Sequence, residues 1–200
     1  MIEAILVATD AKLLEDAAAG DADAYAVFFR RHVGSVTIYA VRRCGNPEDV
    51  ADLVADTFLI ALQAAGRYLP ETETALPWLF GIARRVLARQ RRRSAGAVRL
   101  FLKASNAHVL FTSSEDDEVA SAIDASRQAS ALEAALAQLS NGERDVLELV
   151  AYDGLSPSEV AMVLNLSPNA ARLRLSRARR HLRQILDGGL AIDAEARHAI

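Results

Sequence analysis

The chain has 200 residues, room for one large or two small domains at roughly 150 residues per domain. Its 52% hydrophobic and 24% charged residues exclude a disordered or collagenous chain, and a single cysteine, Cys44, excludes a disulfide framework or a multi-cysteine metal site. The formal charge of −3 conceals two basic blocks in an otherwise acidic chain: residues 67–93 hold seven basic and two acidic residues, and residues 154–186 hold six and one. Two isolated basic elements fit two separate contacts with a phosphate backbone; two solvated helix faces would give the same count.

Helical spacing dominates and hairpin signals are absent, so an all-α chain is expected. A short helix is predicted before Gly20. The run from Asp23 to Arg43, with Tyr25, Phe28, Phe29, Val33, Val36 and Ala40 at helical spacing, predicts a second. Asn46-Pro47-Glu48-Asp49 has the form of a cap, a proline at the first helical position and acids in the first turn, so a third helix runs from there to near Gly66. Glu48, Asp52 and Asp56 are four apart and give it an acidic side. A basic protein partner suits that side better than a metal, since no histidine joins the carboxylates. After a loop from Arg67 to Leu76, Pro77 opens a helix carrying Leu79, Ile82, Ala83 and Val86 and closing on arginines.

Residues 94–127 lack a sustained period and read as a flexible linker, about 110 Å long if fully extended. The apolar runs Leu100–Leu102 and Val109–Phe111 predict that it lies against something. Three helix starts follow: Ser140 with Glu143 and Ser156 with Glu159 have capping-box spacing, and Ser167 is a cap before Pro168. Asn165 tolerates the left-handed conformation needed to end one helix abruptly before the next, which is the spacing of a helix-turn-helix. In the last helix, running to about Ile185, Ala171, Leu175, Ala178 and Leu182 form a dry face. Arg172, Ser176, Arg179 and Arg183, flanked by Arg174 and Arg177, form a phosphate-complementary one. Asn169, Ala170, Arg172 and Leu173 fall in the turn that would sit nearest base edges.

In the first basic block, Arg84, Arg85, Arg89, Arg91, Arg92 and Arg93 follow Tyr68 and Trp78. Cations beside aromatics suit unstacked single-stranded bases, although an aromatic beside Leu79 at a helix start is more often a core residue than a base platform. His32, His108, His181 and His198 are scattered, and no phosphate-binding glycine loop, metal-ligating pattern or nucleophile–base pair is present. No catalytic residue, metal or cofactor is expected. The opening residues lack the basic start of a secretory signal, and no run reaches the ~18 apolar residues of a membrane span, so a cytoplasmic protein without membrane insertion is expected.

Taken together, Glu48–Phe58, Trp78–Arg84, Leu139–Arg144 and Leu173–Arg179 resemble regions 2 and 4 of a bacterial sigma-70 family RNA polymerase sigma factor of the extracytoplasmic-function (ECF) type. The resemblance implies an N-terminal extension (1–20), a region 2 helical bundle (21–93), a linker (94–127), a region 4 helix-turn-helix domain (128–186) and a tail (187–200). It implies no catalysis, but binding of core RNA polymerase at the clamp helices of the beta-prime subunit and at the beta flap, promoter DNA as a second partner, and an anti-sigma factor as a third. By similarity Asp49, Asp52, Leu53, Asp56 and Phe58 would bind core polymerase. Tyr68, Glu71, Thr72, Trp78, Arg84, Arg85, Arg89 and Arg92 would hold the minus-10 element with one base everted. Ser167, Asn169, Ala170, Arg172, Leu173, Arg174, Ser176, Arg177 and Arg179 would read the minus-35 element. The acidic run Glu115–Glu118 would mimic nucleic acid along the polymerase. Against the usual pattern, Arg85 stands where asparagine is common, Arg89 where aspartate is frequent, Leu76-Pro77 in place of Arg-Thr, Ala170 and Leu173 in place of Thr and Ser, and Asn165 in place of glycine. The competing readings are a stand-alone helix-turn-helix regulator and a decoy that binds polymerase or an anti-sigma factor without starting transcription.

Overall fold

The computed structural model describes the backbone of residues 8–104, 132 and 134–198, and the side chains of 8–93, 132 and 134–187. Among the described residues every regular element is helical: α1 (Asp10–Ala18), α2 (Ala22–Val41), α3 (Pro47–Ala64), a 3-10 turn (Ala65–Arg67), α4 (Leu76–Ala104), α5 (Asn141–Ala151), α6 (Pro157–Leu164) and α7 (Pro168–His198). The runs Val109–Phe111 and Glu115–Glu118 lie outside the described residues. The chain divides into two compact units, one containing α1–α4 with residues 159–166 grouped to it, the other containing α5 and α7.

Local chemistry starts each helix. The Thr9 hydroxyl accepts from the Lys12 amide at 3.3 Å, an Asp21 carboxylate oxygen from the Asp23 and Ala24 amides at 2.9 and 3.0 Å, and the Asn46 side-chain oxygen from the Asp49 amide at 2.7 Å. Each satisfies donors that a helix cannot pair within itself. Gly20, at φ 101°, lets the chain turn out of α1 while its amide and that of Asp21 close back on Ala17 and Asp16. That turn lays α1 along α2. Leu13 and Leu14 are fully buried, and each such side chain stabilises by about 1.5–3 kcal/mol. Residues 10–18 are therefore part of the core, not an extension appended to it. Phe28 and Val36 of α2, Leu53 of α3, and Leu79, Phe80 and Ile82 of α4 fill that core. Tyr39 stacks on Phe80 at 4.9 Å and takes the Arg43 guanidinium 3.8 Å over its ring.

Two helices run further than their sequences predict. Helix α4 continues through residues 94–104, read above as linker, because alanine, leucine and arginine favour helix there and the one glycine, Gly96, costs only about 1 kcal/mol. Helix α7 likewise passes Ile185 and reaches His198; no proline stops it.

Ser140 and Glu143 form a reciprocal capping box at the start of α5. Hydrogen bonds from the Ser140 hydroxyl and amide hold the Glu143 carboxyl below its usual range, and His181 Nδ1 lies 3.5 Å from it. Ser140→Ala is expected to lower the stability of this unit by about 1 kcal/mol, read as a lower chemical-denaturation midpoint with an unchanged slope.

Candidate functional site

The acidic side of α3 survives only in part as a surface. Asp52 is exposed, Asp49 is half-buried beside its cap, and Asp56 is paired with Arg89 of α4 at 2.8 Å. Leu53 and Phe58, expected to touch a partner, are interior instead, at 0% and 4% exposure. Phe58 packs edge-on to Phe29 at 4.7 Å, and its carbonyl accepts from the Tyr25 hydroxyl. Burial pushes that phenol up to about 12. Phe58 holds α3 against α2, and both side chains belong to the interior. What the sequence reading missed is Leu59, 54% exposed and three and seven residues beyond Asp56 and Asp52, so on the same helix face. Its i+7 spacing from Asp52 was the available signal.

Tyr68, Glu71, Thr72, Trp78, Arg84 and Arg85 share the lining of one depression. Tyr68 and Trp78 pack against each other in its wall, tilted with ring centroids 4.9 Å apart, and both are half-buried. Burial raises the Tyr68 phenol, so it stays neutral and able to donate at physiological pH. The remaining minus-10 candidates diverge. Arg89 pairs at the surface with Asp56, Arg92 is exposed further along α4, and Arg91 between them donates to the Arg43 carbonyl at 3.2 Å.

The loop between Tyr68 and α4 is held from a distance. Asp10 of α1 is 4% exposed. Its Oδ2 accepts from the Ala75 amide at 2.7 Å and the Thr74 hydroxyl at 3.2 Å and lies 2.8 Å from His32 Nε2, while its Oδ1 accepts from Arg31 at 2.6 Å. Burial alone would raise this carboxyl, but the hydrogen bonds from His32, the Ala75 amide and Arg31 hold it well below the ordinary carboxylate range. A carboxylate more acidic in the folded than in the unfolded chain stabilises above its unfolded pKa of about 3.9 and loses that contribution as pH falls toward the folded value. Melting temperature is therefore expected to fall more steeply from pH 5 to pH 3 in the wild type than in Asp10→Asn.

The third constellation is the turn between α6 and α7. Asn165 takes φ 53°, the left-handed conformation its side chain tolerates, and the Leu166 amide closes on the Ala161 carbonyl at 2.8 Å. The Ser167 hydroxyl then accepts from the Ala170 amide at 3.2 Å and caps α7. Ala171, Leu175 and Ala178 are buried as predicted, while Leu182 is half-buried. Ser167, Asn169, Arg172, Leu173, Ser176, Arg177 and Arg179 are exposed, and Ala170 is half-buried. Arg174 departs from this set: its guanidinium lies over Gly142 at the start of α5, 3.2 Å from where a Cβ would stand, so it braces α7 against α5. Among the described residues no cluster of histidine, cysteine and carboxylate groups could hold a metal, and no helix is long and apolar enough to cross a membrane.

The family profile for sigma-70 region 2 matches residues 28–96, and that for sigma-70 region 4 matches residues 129–182. The chain is 32% identical to the RNA polymerase sigma factor CarQ of Myxococcus xanthus, over 84% of this chain and 91% of that protein. It is 36% identical to the RNA polymerase sigma factor CnrH of Cupriavidus metallidurans, over 89% and 94%. Among solved structures it is similar to CnrH in complex with the cytosolic domain of CnrY, with TM-score 0.61 and 28% identity over 90% of this chain and 97% of that one. The fold also matches the sigma factor RpoE of Bartonella quintana, solved with the anti-sigma factor NepR, at TM-score 0.56 and 20% identity over 80% and 94%.

Proposed function

Because the chain belongs to the sigma-70 family as an ECF RNA polymerase sigma factor, which directs promoter-specific transcription initiation, we propose how its surfaces divide that work. The exposed Asp52, the half-buried Asp49 and Asp56, and Leu59 dock on the clamp helices of the beta-prime subunit, and the helix-turn-helix unit sits by the beta flap. The depression lined by Tyr68, Glu71, Thr72, Trp78, Arg84 and Arg85 takes an everted base of the minus-10 element, with Arg92 on the adjacent backbone. Everting a base costs a few kcal/mol, which ring contacts and phosphate pairing offset. Helix α7 enters the major groove at the minus-35 element, Asn169, Ala170 and Leu173 toward the bases and Arg172, Arg177 and Arg179 toward phosphates. As an initiation factor the chain supplies binding and leaves catalysis to the polymerase.

The observation that carries this reading is the pairing, in one acidic chain, of a capped helix-turn-helix with a second basic element beside an aromatic-lined depression. A stand-alone regulator needs only the first. The similar CnrH is solved in complex with the cytosolic domain of CnrY and RpoE of Bartonella quintana with the anti-sigma factor NepR, and we extend to this chain an anti-sigma partner that covers its binding faces. Run-off transcription with purified core polymerase, on a fragment carrying the gene's own upstream region, tests the whole. A transcript that depends on this protein supports the reading. Co-elution with core but no transcript on any tested promoter favours the decoy, and neither transcript nor co-elution favours the stand-alone regulator.

A further inference from the structure

Asp10 lies 65 residues before Ala75, on a helix that contributes no residue to the DNA- or polymerase-facing surfaces described above, and its carboxylate meets four donor groups. Its surroundings divide in two. Arg31 and His32 anchor it to α2, a rigid element of the core; Thr74 and Ala75 are the last residues of the loop before α4. Oδ2 thus bridges the core to the loop end, where the Leu79 amide closes on the Ala75 carbonyl at 2.9 Å to begin α4. The carboxylate also stands at the positive end of that helix, where negative charge is favoured. Inside the loop, the Thr74 carbonyl accepts from Thr72 at 2.6 Å and its hydroxyl from the Leu76 amide at 3.3 Å. A shift at Thr74 therefore moves Thr72, a lining residue of the depression, and a shift at Ala75 moves the start of the helix that carries Trp78, Arg84 and Arg85.

We propose that Asp10 is a positioning residue for minus-10 readout: its buried carboxylate ties the loop end at Thr74–Ala75 to α2 and so sets the spacing of the depression that receives the everted base. The proposal rests on the reading of that depression as the base site. A shift of about 1 Å in such a site is enough to cost an order of magnitude or more in selectivity.

The test uses holoenzyme reconstituted with the full chain and forked promoter fragments whose single-stranded minus-10 element carries each of the four bases in turn at each position. Discrimination between bases is the readout, because a generally weakened protein loses affinity for all fragments alike. Asp10→Asn keeps the shape but cannot accept every donor, and about a tenfold loss of discrimination at the captured position is expected, with core binding and duplex minus-35 binding unchanged. Thr74→Val, which removes one loop hydroxyl and leaves the core intact, is expected to lose discrimination at the same position, and Thr74→Ser to restore it. Unchanged discrimination in both Asp10→Asn and Thr74→Val overturns the proposal, as does a loss spread equally over all fragments and over core binding. If the wild-type holoenzyme itself discriminates at no minus-10 position, the base-site reading fails and the proposal falls with it; wild-type discrimination that survives in the variants removes the proposal alone.

Discussion

Replacing Asp52 and Asp56 together by lysine is expected to weaken binding to core polymerase by on the order of 100-fold, about 2.7 kcal/mol, while the chain stays folded. Asp52 is exposed and Asp56 partly so, and neither side chain fills the core, so the substitutions remove no packing. The magnitude follows from sign: at a docking face each reversal both removes an attraction and adds a like-charge contact, and close charge pairs across interfaces couple by about 1.5–7 kcal/mol. Asp56 enters the complex with a competitor, since Arg89 already holds it at 2.8 Å. A surface pair of this kind is worth no more than about 1 kcal/mol, so a basic group of the polymerase displaces it readily. Arg89→Ala should accordingly preserve core binding, and Glu15→Lys, a single charge reversal on α1, should leave it untouched. Affinity for core that is unchanged in the Asp52/Asp56 double variant would remove α3 from the docking face.

The helix starts were legible because a cap is chemistry confined to four residues: Asn46, Ser140 and Ser167 each accept the predicted amide, and Asn165 adopts the predicted left-handed turn. The ends of α4 and α7 were not, although those of α2, α3 and α6 were. Ser94, Gly96 and the Gly188–Gly189 pair resemble stops, yet one or two glycines only tax a helix whose other residues favour it. The apolar stripe of α3 was visible, but periodicity does not say which neighbours a stripe meets. Leu53 and Phe58 belong to the face that α2 and α4 cover, while the carboxylates one and two positions away rotate outward. Arg174 shows the same limit, since helical spacing put it with the phosphate-facing arginines and only the approach of α5 turns it to Gly142. Least legible was Asp10. An aspartate in the first turn of a short helix is ordinary in sequence, and nothing local connects it to a loop 65 residues away.

Substitutions on α7 are expected to separate affinity from specificity. Arg177 and Arg179 sit beyond the first turn on the exposed face, where phosphates are the reachable groups, and each lost phosphate contact lowers the slope of log affinity against log salt by about 0.9. The Arg177→Ala/Arg179→Ala double variant should therefore weaken holoenzyme on every minus-35 sequence alike and flatten that slope by about 1.8. Leu173 is different: it is 51% exposed in the first turns of α7 and offers only apolar contact, which suits a thymine methyl. Leu173→Ser supplies a hydroxyl in its place, and preference at one base pair should change by about 1–3 kcal/mol, roughly 5- to 150-fold, with the salt slope unaltered. Salt titrations and a library of minus-35 variants read the two effects in the same holoenzyme. If Leu173→Ser instead weakened all sequences uniformly, or the double arginine variant changed base preference, α7 would lie in the groove in a different orientation, with its later turns rather than its first toward the bases.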